Sequence, residues 1–190
     1  MQETLRPRSL RRQALRGRSA GFTLIELLSA ITILVFGIGA LVSMVVATST
    51  ANQLNRETAL ALSAGHGLIE RMRGDPFGEL FARYNADPGD DPGGAGTAPG
   101  SSFAIAGLAA LPGDADGMPG EIVLPAGGPE LYENVDLPLF GLPRDLDMDG
   151  LVDAADHAAD YRVLPVLVRI RWQGRTGPRT IQFLTTLADL

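Results

Sequence analysis

The sequence contains no cysteine and no lysine. Without thiols the fold holds no disulfide and offers neither a thiolate metal ligand nor a thiol nucleophile, and the chain suits either redox compartment. The absence of lysine leaves all 16 basic residues as arginine, and no functional meaning attaches to that. Machinery for catalysis is sparse. The two histidines, His66 and His157, have no cysteine to pair with, no serine stands in a nucleophile-elbow setting, and no phosphate-binding loop is present. At 190 residues the chain is long enough for about one domain with one core.

What is present is unevenly distributed. Residues 1–21 hold six arginines against Glu3, a net +5, whereas the rest carries ten arginines against 21 acids, a net −11. An acidic head of that kind is a poor nucleic-acid binder, so no nucleic acid is expected as a partner. The basic leader directly precedes an apolar block, where the positive-inside rule accounts for it.

Residues 22–47 read FTLIELLSAITILVFGIGALVSMVVA, 26 residues with Glu26 as the single charge. About 20 apolar residues suffice to cross the hydrocarbon of a bilayer, and a simple secretory signal has a shorter apolar core, so this stretch reads as a transmembrane helix. Arginines on its N-terminal side keep that end cytoplasmic and put the remainder outside the cytoplasm. The helical pattern continues past the membrane: Leu54, Ala61, Leu68 and Met72 form one apolar stripe, no proline intervenes before Asp75-Pro76, and residues 22–73 are expected to form one helix. Gly65 and Gly67 each weaken that helix by about 1 kcal/mol relative to alanine, which would allow a kink near His66, itself read as a surface residue.

An arginine-rich leader, then Gly21-Phe22-Thr23-Leu24-Ile25-Glu26, then an apolar helix resembles the N-terminal signal of type IV prepilins, the family of type IV pilins and type II secretion pseudopilins. The resemblance covers residues 1 to about 50. It implies that a prepilin peptidase in the membrane cuts after Gly21 and methylates the new amino group of Phe22, leaving the helix as the assembly element of a filament. It implies further that Glu26 pairs with the Phe22 amino group of a neighbouring subunit. The physical need for such a partner is independent of the resemblance, since a carboxylate in a transmembrane helix costs about 2.5–3.5 kcal/mol on insertion scales and is usually there for function. A charge snorkelling to the headgroups is the alternative reading of Glu26.

Residues 75–130 are rich in glycine, proline and aspartate and read as loop, with short strands expected at 103–106 and 121–124 on a sheet edge and another at 131–137. The C-terminus is clearer. YRVLPVLVRIRWQGRTGPRTIQFLTTLADL contains two alternating segments around QGRTGP and reads as a β-hairpin, with Val166, Val168, Ile170 and Trp172 on one face of the first strand and Ile181, Phe183, Thr185 and Leu187 aligned on the second. That apolar face is suited to cover the helix stripe, with Trp172 as packing. The expected fold is therefore α+β and pilin-like: a long N-terminal transmembrane helix packed on a small antiparallel sheet. Its parts are a cleaved basic leader (1–21), the transmembrane half of the helix (22–47), its extracytoplasmic half (48–74), and a loop-rich β head (75–190).

One further motif stands apart. DLDMDGLVDAAD, residues 145–156, places Asp145, Asp147, Asp149, Asp153 and Asp156 at positions 1, 3, 5, 9 and 12 of an EF-hand calcium loop, with Gly150 at the sharp turn and the Leu151 carbonyl at position 7. Position 12 is aspartate instead of the longer glutamate, and PLFGLPR before the loop is no helix, so the motif is a calcium loop without a full EF-hand. A solvated acidic turn is the alternative. Asp114 and Asp116 form only a fragment of such a pattern, and Asp156-His157 reads as loop surface.

These features give, first, a structural, non-enzymatic filament subunit of a type IV pilus or type II secretion pseudopilus, held in the bacterial inner membrane by a single pass before assembly. Its expected partners are the prepilin peptidase, other pilin or pseudopilin subunits and the inner-membrane assembly platform. A second reading is a single-pass, membrane-anchored calcium-binding or recognition protein that enters no filament. An anchored enzyme is the third.

Overall fold

A computed structural model describes residues 21–125 and 129–189; the basic leader, apart from Gly21, therefore lies outside the described residues. Helix α1 runs Leu24–Gly74, and a short helix α2 follows at Leu80–Tyr84. The strands are β1 (Ser102–Phe103), β2 (Gly120–Val123), β3 (Val163–Gly174) and β4 (Gly177–Ala188). They form one antiparallel sheet in the order β1-β2-β3-β4. The expected α+β, pilin-like arrangement is thus present: a long N-terminal apolar helix and a small antiparallel sheet. The described residues divide into two compact units, one ending at Val46 and the other running from Ala47.

In the first unit every described side chain is exposed, including Phe22, Ile33, Phe36, Leu41 and Val45. An 18-residue window of this part of α1 has a mean hydropathy of 2.5 and no buried residue. Apolar surface of that extent is not left in water by a stable protein, and length and composition both suit a bilayer crossing.

The second unit contains the core. Along α1 the buried positions Ala61, Gly65, Leu68, Ile69 and Met72 recur at helical spacing, and all but Gly65, which meets Phe183 of β4, cluster with Val166, Val168, Ile170 and Trp172 of β3. The stripe read from the sequence is that buried face, with Leu54 only half-buried at its upper end. The hairpin also follows the alternation: β3 and β4 pair across twelve positions from Val163↔Ala188 to Gly174↔Gly177, with Arg175-Thr176 at the turn. Leu167 points to the opposite face of β3 and is equally buried, because Leu131, Phe140, Leu142 and Leu146 of the long loop join the same core. β3 is therefore covered on both faces, and full burial of each such leucine is worth about 1.5–3 kcal/mol.

Three expectations need correction. Helix α1 is unbroken through Gly65–Gly67, because Gly65 is a packing residue at the sheet and not a weak point. The run at 121–124 does not sit on an edge: β2 lies between β1 and β3. Residues 131–137 form no strand; the Leu131 carbonyl accepts from His157 N at 2.8 Å and Leu131 N donates to Asp156 Oδ1 at 2.9 Å, so the segment is tied to the acidic loop by single bonds instead of a ladder.

Behind α1 the chain turns at Pro76 into α2, whose Leu80, Phe81 and Tyr84 are buried. Tyr161 fixes this corner from the far end of the sequence: its hydroxyl donates to the Phe77 carbonyl at 2.6 Å and accepts from Phe81 N at 3.0 Å.

Candidate functional site

At the start of α1 the residues Gly21-Phe22-Thr23-Leu24-Ile25-Glu26 are all exposed among the described residues, with Phe22 at 82%. Thr23 Oγ1 accepts from Glu26 N at 3.3 Å, so Thr23 and Glu26 stand in the spacing of a capping box and the helix start is satisfied locally. Glu26 also lies in the first helical turn, where a negative charge is favoured by the helix dipole. Among the described residues no cation lies within ion-pair distance of its carboxylate. The segment thus offers an exposed residue pair at 21–22 for cleavage, and an apolar helix carrying one unneutralised carboxylate.

The acidic loop is more elaborate than its spacing implied. Gly150 has φ +91°, the left-handed turn expected at position 6, and Met148 shares that region at φ +66°. Asp145 accepts from the backbone N–H groups of Met148 and Gly150, Asp147 from Asp149, Asp149 from Leu151, and Asp153 from Ala155. Burial alone would raise the Asp145 carboxyl, but the donors from Gly150 and Met148 carry it below the usual carboxylate value. Asp147 accepts the Asp149 N–H, yet its burial and the neighbouring Asp149 charge push its carboxyl above that value.

The organising residue comes from outside the loop. Glu133 is 1% exposed; its Oε2 accepts from Leu146 N at 2.7 Å and its Oε1 from Asp153 N at 2.7 Å, so one carboxylate ties the second position of the loop to the ninth. It brings oxygens of Glu133, Asp145 and Asp147 within 4.8 Å of one another. Asp153 joins a second group with Glu133 and His157, and a third consists of Asp147, His157 and Asp160. Asp149 and Asp156 enter none of these groups; Asp156 Oδ1 instead accepts from Leu131 N and Ala158 N. Leu151 is exposed at its side chain.

His157 is not loop surface. It is 4% exposed and stands among four carboxylates, with Asp160 at 3.2 Å, Asp153 at 3.4 Å, Glu133 at 3.6 Å and Asp147 at 3.7 Å. Burial works against its charged form, but hydrogen bonds to Asp160 and Asp153 and the charges of Glu133 and Asp160 outweigh that and raise its pKa. Glu133, His157 and Asp160 are the residues that sequence reasoning passed over. No local pattern marks them, because Glu133 reaches the loop from a segment whose only signal is an acid between Tyr132 and Val135.

The remaining candidates behave as scaffold. Trp172 is 1% exposed and donates its indole N–H to Glu57 Oε2 at 3.3 Å, so it packs the hairpin on α1, as expected. His66 is exposed and meets Phe183 edge-on with centroids 5.2 Å apart. Asp116 caps a turn by accepting from Met118 N at 2.9 Å.

Residues 16–42 match the prokaryotic N-terminal methylation motif. No curated protein and no solved structure matches the chain. The matched stretch contains Gly21-Phe22, Glu26 and most of the exposed apolar part of α1, and over it the chain is similar to type IV prepilins. The motif is common to pilins and pseudopilins and does not separate them. It implies processing by a prepilin peptidase and assembly with other pilin-type subunits, and it fits an anchored, structural protein of the inner membrane.

Proposed function

We propose that the chain is a structural subunit of a type IV pilus or a type II secretion pseudopilus, cut after Gly21, methylated at Phe22 and assembled through the apolar part of α1. One observation carries this reading: the methylation motif at residues 16–42 coincides with a helix segment whose apolar side chains are exposed among the described residues. Lipid covers them before assembly, and the helices of neighbouring subunits cover them afterwards. In that packing Glu26 gains its cation, the amino group of Phe22 on the next subunit, and the attraction strengthens as water leaves. The N-terminus is cytoplasmic until cleavage, the head lies outside the cytoplasm, and the inner-membrane platform supplies the machinery of assembly. The mass of the N-terminal peptide tests the reading: in cells with an active prepilin peptidase it should begin at methylated Phe22, and recovery of membrane-bound protein with residues 1–21 intact would refute it.

Calcium is the second element of the proposal. Glu133, Asp145 and Asp147 offer an all-oxygen donor set of the kind a hard cation takes, and each oxygen that accepts one N–H keeps a second lone pair. Of the other positions expected from the spacing, Asp153 stands in the adjoining group with Glu133, while Asp149, Asp156 and the Leu151 carbonyl lie outside the donor set. Calcium there would neutralise part of the acidic cluster and brace the approach to β3.

A further inference from the structure

We infer that the free edge of β4 and the cavity beside its C-terminal end form a docking site for an extended segment of a partner polypeptide, which adds to the sheet as a fifth strand. β4 is the last strand of the sheet and is twelve residues long, whereas the opposite edge, β1, is only two. The two-residue turn makes Gly174↔Gly177 a hydrogen-bonded pair, so every second residue from there, Arg179 to Leu187, bonds to β3. The bond from Asp189 N to the Arg162 carbonyl continues the same alternation. The backbone groups of Thr180, Gln182, Leu184, Thr186 and Ala188 therefore face away from β3, and among the described residues no protein group bonds to their N–H donors.

Such a row has one natural complement, the backbone of another extended chain. Protein edges are usually guarded by charges, bulges or brevity. β4 carries two guards, Pro178 and the single charge Arg179, both beside its turn, and beyond them it exposes Leu184 at 54%. At the other end Thr186, Leu187, Ala188 and Asp189 border a cavity of ≈ 450 Å³. Met72, Phe77 and Leu80 give it an apolar lining, and Arg73 and Asp75 stand among its polar residues. A strand laid along Thr180–Ala188 turns alternate side chains to opposite faces of the sheet, and a leucine- or phenylalanine-sized one beside Thr186–Ala188 finds the cavity's apolar walls. The partner's chemistry follows: an extended, uncharged segment with alternating β-branched residues and one large apolar anchor. This inference does not depend on the filament reading.

The test uses the full-length protein in detergent with a fluorescent, acetylated and amidated hexapeptide of alternating threonine and valine with one leucine, and the same peptide N-methylated at alternate residues. The unmodified peptide should bind and slow amide exchange at Thr180–Ala188, and the N-methylated one should bind about tenfold more weakly or worse, having lost donors along one edge. Thr186→Pro removes an outward N–H without breaking a bond to β3 and should weaken binding about tenfold. Leu184→Lys, which leaves the ladder intact and adds a charge beside the edge, should shift affinity in the same direction and serves if the proline variant does not fold. No binding of the hexapeptide, equal binding of the two peptides, or unweakened binding by the folded variants overturns the inference.

Discussion

The ring of Phe183 lies against the backbone of Gly65 so closely that a Cβ on Gly65 would stand 2.4 Å from Phe183 Cε2 and 2.9 Å from Cδ2 and Cζ. Helix α1 and strand β4 meet there with only the Phe183 ring between them. Two glycines two residues apart, on opposite faces of the helix, should therefore respond oppositely to alanine. At Gly67, exposed and with nothing within 4 Å, alanine should stabilise residues 47–190 by about 1 kcal/mol through helix propensity. At Gly65 the same gain is opposed by overpacking of about 1–3 kcal/mol, for a net loss of up to ~2 kcal/mol. Denaturant melts of the two variants measure this, and equal effects would mean that Phe183 yields freely.

Tyr161 predicts sensitivity to alkali. Burial pushes its hydroxyl up to about 12, with the Glu79 charge adding to that and the bonds at Phe81 and Leu80 opposing it. The folded pKa lies above the unfolded value of about 10, so the stabilisation is complete below pH 10 and is lost as the pH rises toward 12. Tyr84, also raised to about 12, by burial and by its hydrogen bond to Asp75, titrates over the same window. Tyr161→Phe should cost about 1–3 kcal/mol at neutral pH by leaving Phe77 O and Phe81 N without their partner. It should also flatten part of the decline in melting temperature between pH 10 and 12. A variant with an unaltered alkaline slope would mean that Tyr84 carries the whole effect.

The parts of the fold visible in the sequence are those governed by local periodicity. Ala61, Leu68 and Met72 repeat at helical spacing and are buried, and Val166 to Trp172 alternate and are buried. The N-terminal signal is also local, six residues beside a leader and an apolar run. What escaped is what depends on distant partners. Glu133 acts on Leu146 and Asp153, 13 and 20 residues away, and nothing between Tyr132 and Val135 announces that reach. His157 follows Asp156 in a run of small and acidic residues, which reads as surface until Glu133 buries it. Leu131–Leu137 has strand composition, but its neighbour is a capped loop and it gains no ladder. Gly65 looked like a weak helix position because the residue that requires it, Phe183, is more than a hundred positions later.

Glu26 should matter for assembly and not for insertion. Its amide is capped by Thr23, so Glu26→Val leaves the helix start intact while removing the one charge from the apolar run. Insertion should become easier, by up to about 3 kcal/mol on insertion scales. Incorporation into filaments should fall, because the neighbouring amino group loses its partner in a water-poor contact. The ratio of variant to wild type in sheared filaments, set against the ratio in membranes, reads this directly. Equal ratios would remove Glu26 from the register of the filament.

Calcium should raise the melting temperature of residues 47–190. The loop sets Asp145, Asp147, Asp149, Asp153 and Asp156 within twelve residues, and the buried Glu133 adds a further carboxylate at its centre. A divalent cation relieves that repulsion and binds only where the loop is closed, so it stabilises the folded state by RT ln(1 + [L]/Kd), about 2.7 kcal/mol at a hundredfold excess. That corresponds to a rise of several degrees for a domain of this size. Magnesium should do much less, since it requires a tighter octahedral shell and releases water reluctantly. Asp145→Asn with Asp147→Asn removes two charges, keeping the acceptor at 147 and one of the two at 145, and it should abolish the difference between millimolar calcium and chelator. Glu133→Gln should instead destabilise the loop in both conditions, because its oxygens hold Leu146 N and Asp153 N whether or not an ion is bound. Identical melting of the folded wild type in calcium and in chelator would assign the loop's cohesion to its backbone donors and to His157, the one basic side chain among the described residues within reach of Glu133, Asp147, Asp153 and Asp160.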